Sequence, residues 1–332
     1  MAVTMREVAA LAGVSLKTVS NVINNYPYIR PETRAKVEFA IQQLDFHPNI
    51  SARNLAQGRT GLIGLVLPDL RIPYFAELAY SVMGAAEQLG RKLVIEQTGE
   101  RGQRELEVLR AKGRRLTDGL LFSPIAMNPD APALLDVGYP LVLLGERVFG
   151  APVDHVTMDN FAGARAAALH LAERGCRDIA VIGTRAEETA GSSVLRLAGL
   201  RAGLAEAGLE LNPLLIAETD RWVHKEGARL MSDLLDQGVP LDGVFAMNDA
   251  LALGAMHAIH RRSLVVPGDV AVIGFDNISE SESSDPRLTS VDPGREQIAN
   301  EAVRLLAARI DGETTPAQTV VVRHTLVRRE SA

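Results

Sequence analysis

The sequence predicts an all-α head joined to an α/β body of two doubly wound, parallel-sheet lobes, and three observations predict it. Apolar residues before residue 48 recur at helical spacing in three short segments. From Gly61 onward, short and nearly continuous apolar runs alternate with helical stretches, the pattern of parallel strands covered on both faces. A chain of 332 residues exceeds one domain of ~150, and the candidate strands are too many for one comfortable sheet.

The head reads element by element. Thr4, followed three residues later by Glu7, signals a capping box, after which Val8, Leu11 and Ala12 fall on one helical face. Gly13 stops that helix, and Ser15 caps a second from Leu16 to about Ile23. Val19, Val22 and Ile23 lie together there, leaving Leu16, Lys17, Ser20 and Asn21 on the outer face. Two short helices across a tight glycine turn make a helix-turn-helix. Pro31 suits the first turn of a third helix with Val37, Ala40, Ile41 and Leu44 inward. Such a head is either a DNA-reading module or a plain three-helix bundle.

In the body the candidate strands are Leu62–Leu67, Lys92–Gln97, Gly119–Ser123, Leu141–Leu144, Ile179–Gly183, Gly243–Met247 and Val270–Phe275. Helices are expected near Tyr74–Leu89, Gly102–Arg114, Phe161–Arg174, Val194–Ala207, Lys225–Asp236, Asp249–His260 and Gly294–Ile310. Neither an internal repeat nor a low-complexity segment interrupts this alternation.

Composition narrows the function classes. Hydrophobic residues make up 47% and charged residues 23%, which excludes wholesale disorder and fibrous repeats. The formal net charge of −6 points away from nucleic acid, but residues 1–60 hold seven basic side chains against four acidic, leaving −9 for the rest. A basic head on an acidic body suits a nucleic-acid or membrane surface met by the head alone. One cysteine, Cys176, forms no internal disulfide, and with neither a signal peptide nor an apolar run of about 18 residues the expectation is a cytoplasmic protein. Arginine far outnumbers lysine, which suggests GC-rich bacterial coding.

The residues MREVAALAGVSLKTVSNVIN at 5–24 and FHPN at 46–49 resemble the lactose/galactose repressor family of bacterial transcription regulators, and the resemblance covers nearly the whole chain. It implies a helix-turn-helix domain at 1–48, a hinge helix or linker at 49–60 and a two-lobed effector-binding and dimerisation body at 61–332, similar to periplasmic sugar-binding proteins. Lobe one would hold about 61–160 and 292–322, lobe two about 161–291 and 323–332. Leu16, Lys17 and Asn21 occupy the positions that read bases, and Thr4, Ser15, Thr18, Ser20, Asn24 and Thr33 those that touch phosphates. Lysine can donate to guanine, asparagine can bond adenine and leucine can meet a thymine methyl. Many relatives carry Arg where Asn21 stands, so the operator does not transfer from them. Asn49, Ala52 and Leu55 are the hinge contacts, with Leu55 either wedged into the minor groove or packed as part of a simple linker.

The same resemblance assigns an effector cleft between the lobes. Arg196 matches the effector arginine, as a ligand donor or a surface ion pair, and Asp276 the acceptor carboxylate, as a ligand contact or a turn cap. Trp222 either stacks on a sugar or packs in the core, Asn248 faces the cleft, and Asp249 caps the next helix. Pro73, Tyr74 and Phe75 line the other wall. Glu146 stands where relatives have the aspartate of Asp-Arg, which leaves its contact open.

No metal spacing joins the seven histidines; His257 and His260 share one helix face without a third ligand. No cofactor motif or catalytic constellation emerges. The reading is therefore a repressor, not an enzyme. It binds double-stranded, pseudopalindromic operator DNA as a homodimer, responds to a small carbohydrate, and sits on the nucleoid when bound. A purine or other metabolite effector is the first alternative. A solute-binding transport protein and a doubly wound enzyme are the rivals from other classes.

Overall fold

The structure is a computed structural model that describes residues 3–23, 26–46, 59–111, 116–186 and 188–332. The chain divides into two units between Thr60 and Gly61.

The first unit holds α1 (Met5–Ala12), α2 (Leu16–Ile23) and α3 (Pro31–Gln43). The Glu7 carboxylate accepts from the Thr4 backbone N–H at 2.7 Å and from its hydroxyl at 2.9 Å, and Gly13 ends α1 at φ 66°. The Thr18 N–H donates to Ser15 Oγ at 3.1 Å, which satisfies one of the orphan donors at the start of α2. Val8, Val19, Val22, Val37 and Ala40 close the core with Phe46. Leu11 is 52% exposed and Ala9 is buried instead, so the inward stripe of α1 lies one step round from the expected face.

In the second unit, one sheet has the order β11-β5-β4-β3-β1-β2. Its strands are β1 (Leu62–Leu67), β2 (Lys92–Gln97), β3 (Gly119–Phe122), β4 (Leu141–Leu144), β5 (Asp154–Met158) and β11 (Thr319–Val322), all parallel. The other sheet runs β12-β10-β9-β8-β6-β7. It contains β6 (Ile179–Thr184), β7 (Ile216–Glu218), β8 (Gly243–Ala246), β9 (Ala271–Phe275), β10 (Thr289–Asp292) and β12 (Thr325–Val327), where β12 alone pairs antiparallel. Helices α4 (Pro73–Gln88), α5 (Gly102–Arg110) and α11 (Arg295–Ile310) serve the first lobe. The second has α6 (Asn160–Glu173), α7 (Ser192–Glu206), α8 (His224–Asp236), α9 (Asp249–Arg261) and the short α10 (Ser279–Ser283).

Strands β5, β7, β10, β11 and β12 were not among the expected ones. Asp154 and His155 of β5 are buried because Arg309 binds the carboxylate at 2.6 Å and the His155 Nε2–H donates to the Gly145 carbonyl. In β10, Ser290 Oγ donates to Asp249 at 2.6 Å, and the Thr289 N–H donates to Ser331 Oγ. Buried polar groups are tolerated when they are paired, and here the partners lie far away in sequence. The helix expected over Gly102–Arg114 ends at Arg110.

The chain passes between sheets three times: at Asp159, at Pro293–Gly294 and at Arg323–His324. These passages touch, since the Asp159 N–H donates to the Val322 carbonyl at 3.2 Å. Gly294 sits at φ 77°, and a Cβ there would strike Val322, so glycine is required twice over.

Helix pairs in the second lobe approach by backbone. A Cβ on Gly199 of α7 would overlap the Phe161 carbonyl of α6, and one on Gly254 of α9 the His224 carbonyl of α8. No rotamer change relieves a clash with backbone. Gly254→Ala should therefore lose ~1–3 kcal/mol of stability in urea unfolding despite alanine's better helix propensity, because overpacking outweighs a gain of about 1 kcal/mol.

Candidate functional site

On the head, the outer face of α2 presents Leu16 and Lys17 to solvent, with Ser20 and Asn21 half-buried beside them. Thr18 is held by its bond to Ser15, and Thr33 is half-buried in the first turn of α3. The Thr4 hydroxyl, expected at phosphate, donates to Glu7 here, and that bonding with the Thr4 backbone N–H holds the Glu7 carboxyl below the usual range. Asn24, Asn49, Ala52 and Leu55 lie outside the described residues.

The body contains a cleft at the carboxyl ends of both sheets, with about 930 Å³ of empty space partly open to solvent. Strand ends place its polar side chains, as expected for doubly wound sheets. Arg196, on α7, is 3% exposed. Its Nε donates to Asn160 Oδ1 at 2.7 Å, Nη1 to the Met247 carbonyl, and Nη2 lies 3.6 Å from Asp276 Oδ1. The guanidinium carbon stands 3.6 Å from the Phe275 ring centroid, a cation–π stack.

Asp276 follows β9 at φ 110° and Asn277 follows at φ 49°, two left-handed residues in succession without glycine. The Asp276 N–H donates to the Val291 carbonyl at 2.9 Å, Arg295 Nη1 to the Asp276 carbonyl, and Arg329 Nη2 to Asn277 Oδ1. Strain of this kind persists where the surroundings over-determine it, and the bonds from Arg295 and Arg329 do so. Burial pushes the Asp276 carboxyl up to about 8 against the pull of Arg196, with Asp249 and Glu146 raising it further.

Trp222 donates its indole N–H to the Gly183 carbonyl at 2.7 Å, which fixes the ring at the cleft wall while part of it packs on the core. Asn248 lines the cleft and also caps α9, because its Oδ1 accepts from the Leu251 N–H at 2.9 Å. Asp249, read as the cap, is instead fully buried and accepts from Ser281 Oγ, Ser290 Oγ and the Ile278 N–H. The capping role belongs to the residue before it.

On the opposite wall stand Tyr74, Phe75 and Glu146, with Ile72 beside them. Burial, together with the charges of Glu146 and Asp276, drives the Tyr74 hydroxyl far above the ordinary tyrosine range. Pro73 is not brought to the cleft: it occupies the first turn of α4, where its missing N–H needs no partner.

Four charged residues of the lining were not expected there: Glu100, Arg147, Arg185 and Glu188. Arg147 donates from Nε to the Met127 carbonyl at 2.8 Å and, across the cleft, from Nη1 to the Ala190 carbonyl. Arg185 and Glu188 complete the group, with Glu188 Oε1 3.8 Å from Arg185 and 3.5 Å from Arg147. The rule that ligands sit beyond strand ends could have found Arg185, which directly follows β6.

Among the described residues no cluster of His, Cys, Asp and Glu could hold a metal. Cys176 is buried, its Sγ donates to the Asp242 carbonyl, and burial pushes its thiol up to about 11. No helix among the described residues is long and apolar enough to cross a membrane.

A helix-turn-helix head and a two-lobed body with an inter-lobe cleft define a ligand-responsive DNA-binding protein. Comparison with known proteins agrees. Residues 4–49 match the bacterial regulatory proteins of the lacI family, and residues 168–332 match a periplasmic binding protein-like domain. The HTH-type transcriptional regulator CelR of Thermobifida fusca is 37% identical over 335 residues, covering 98% of this chain and 97% of that protein. A transcriptional regulator CelR–cellobiose complex is similar in structure at TM-score 0.73 and 33% identity, covering 99% of this chain and all of that one. The Lac repressor dimer bound to operator and the anti-inducer ONPF gives TM-score 0.85 at 26% identity, covering 100% of this chain and 99% of that one. The chain belongs to the lacI family, and it is a DNA-binding transcription regulator.

The buried carboxylate makes stability depend on pH. Folded Asp276 keeps its proton up to about pH 8, whereas the unfolded chain releases it near 3.8, so the folded state binds more protons across that window. Its contribution is full below the lower value and is lost as pH rises through the upper one. The melting temperature of Asp276→Asn should therefore fall less than that of the wild type between pH 5 and 8; equal slopes in a calorimetric series would contradict this.

Proposed function

We propose that the protein is a repressor that binds a pseudopalindromic operator as a homodimer and is released or recruited by a small carbohydrate. The observation that carries the ligand class is the wall formed by Arg196, Asp276 and Trp222: donors and an acceptor beside an aromatic face, which is what a sugar's hydroxyls and apolar ring face require. The cellobiose held by the similar CelR structure supports it.

In this reading residues 1–48 bind DNA, 49–60 form the hinge, and 61–332 sense the effector and dimerise. Leu16, Lys17 and Asn21 read bases, while Thr4, Ser15, Thr18, Ser20, Asn24 and Thr33 set register on phosphates. Asn49, Ala52 and Leu55 belong to the hinge, with Leu55 entering the minor groove. Tyr74, Phe75, Glu146, Arg196, Trp222, Asn248 and Asp276 surround the effector. The protein works in the cytoplasm, on the nucleoid when bound to its operator. Two-fold protein symmetry is mirrored in the operator.

Effector and operator must be coupled reciprocally, because a ligand shifts DNA affinity only by its differential affinity for the two lobe arrangements. A thermal-shift screen of sugars, sugar phosphates and purines tests the ligand class: sugar hits are expected, and a purine hit without any sugar hit overturns it. Operator binding should weaken steeply with salt and vanish on deletion of residues 1–60. Leu55→Ala should weaken specific operator binding by roughly tenfold or more while sparing non-specific binding. Equal loss of both in a filter-binding or anisotropy titration would remove the wedge from this account.

A further inference from the structure

Glu146 is 9% exposed, lines the cleft, and its Oε2 is buried with no hydrogen-bond partner. A carboxylate is acceptor-only, so whatever meets that oxygen must donate. A buried charge left unpaired is costly, which strongly favours a donor there and penalises a second negative charge. From this geometry we propose that the cleft admits neutral or amine-bearing sugars and excludes anionic ones, with Glu146 as the residue that sets the exclusion. The inference rests on the carbohydrate reading and goes beyond it to the charge of the ligand.

The guanidinium groups that would draw an anion are each partly engaged by oxygens of the protein, and the N–H groups that remain suit neutral hydroxyls. Arg196 serves Asn160, the Met247 carbonyl and Asp276. Arg147 serves the Met127 and Ala190 carbonyls and lies beside Glu188. Arg185 is the opposing feature, because its Nε is buried without an acceptor. Its Nη2, however, donates to the Asp220 carbonyl at 3.1 Å, and Glu188 stands 3.8 Å from Nη1. Counting Glu100 at the rim, the described lining sets the carboxylates of Glu100, Glu146 and Glu188 against these three guanidinium groups, with Asp276 keeping its proton up to about pH 8.

The field of Glu146 is felt by its acidic neighbours. Its charge acts on Tyr74, Glu188 and Asp276, in each case against a further negative charge. A ligand carboxylate or phosphate placed among them meets the same opposition.

Calorimetric titration of the full-length protein at neutral pH separates the possibilities. Glucose and cellobiose are compared with glucuronate and cellobiouronate, and with glucosamine as the cationic arm. Wild type should bind the accepted neutral sugar at least roughly tenfold more tightly than its uronate, and glucosamine should not be penalised relative to glucose. Glu146→Gln should bring the neutral-to-uronate ratio below roughly threefold, whereas Glu146→Asp, which keeps the charge, should retain the exclusion. A cooperative calorimetric unfolding transition shows that the glutamine variant is folded, whatever its affinity for the neutral sugar. Equal affinity of wild type for a sugar and its uronate overturns the proposal, as does a glutamine variant that still excludes the uronate. Should hypoxanthine bind and no sugar of either charge, the carbohydrate reading falls by itself. The charge exclusion is then decided by hypoxanthine against urate, with equal affinities overturning it.

Discussion

Burying a guanidinium is unfavourable by several kcal/mol unless its N–H groups find acceptors, and the acceptors of Arg196 come from three different parts of the second lobe. Asn160 opens α6 just after the first passage between lobes, Met247 follows β8, and Asp276 follows β9. One side chain on α7 thus ties together the strand ends that form a wall of the cleft, with Phe275 stacked beneath it. The left-handed backbone at Asp276 and Asn277 is a companion of this arrangement, since it turns the chain beneath the guanidinium at the end of β9. A wall built in this way is pre-organised, so a ligand meets it without first ordering it.

What could be read in advance followed from simple patterns. Continuous apolar strands such as Leu62–Leu67 and Leu141–Leu144 announce themselves because both faces are buried, and their bounds were legible to the residue. Strands β5 and β10 were not legible, since Asp154, His155, Thr289 and Ser290 look like loop residues until Arg309, Gly145, Ser331 and Asp249 are brought to them. The site shows the same division. Arg196, Trp222 and Asp276 were recognisable by resemblance, but Arg147 and Arg185 owe their place to a fold that sets two lobes face to face. Asn248 keeps its expected place in the cleft and also takes the cap expected of Asp249, because a cap is decided by backbone geometry, which adjacent residues of similar chemistry do not reveal.

Electrostatics divides the protein's work in sequence order. The basic head carries seven cationic side chains within residues 1–60, which suits a phosphate surface, and the excess of negative charge is confined to the body. Inside the body the cleft guanidinium groups are met in place: Arg196 by the Asn160 and Met247 oxygens, and Arg147 and Arg185 by Glu188. The cleft is therefore not a general ion trap. Its polarity is local, directional and largely satisfied by the protein itself, which is how buried polar groups confer selectivity without a large loss of stability.

The three passages between sheets also impose an order on synthesis. The first lobe receives β1 to β5 early, yet its edge strand β11 and the covering helix α11 come only after β6 to β10 of the second lobe have been made. Until then β5 keeps an open edge, and the sheet lacks one of its helical covers. A growing chain must hold this unfinished edge away from other strands while the ribosome makes β6 to β10 of the neighbouring lobe, the situation in which edge pairing and misassembly arise. The lobe begun first thus waits for most of its neighbour before β11 closes its edge, the neighbour's own last strand β12 follows at once, and neither lobe is a contiguous stretch of the chain.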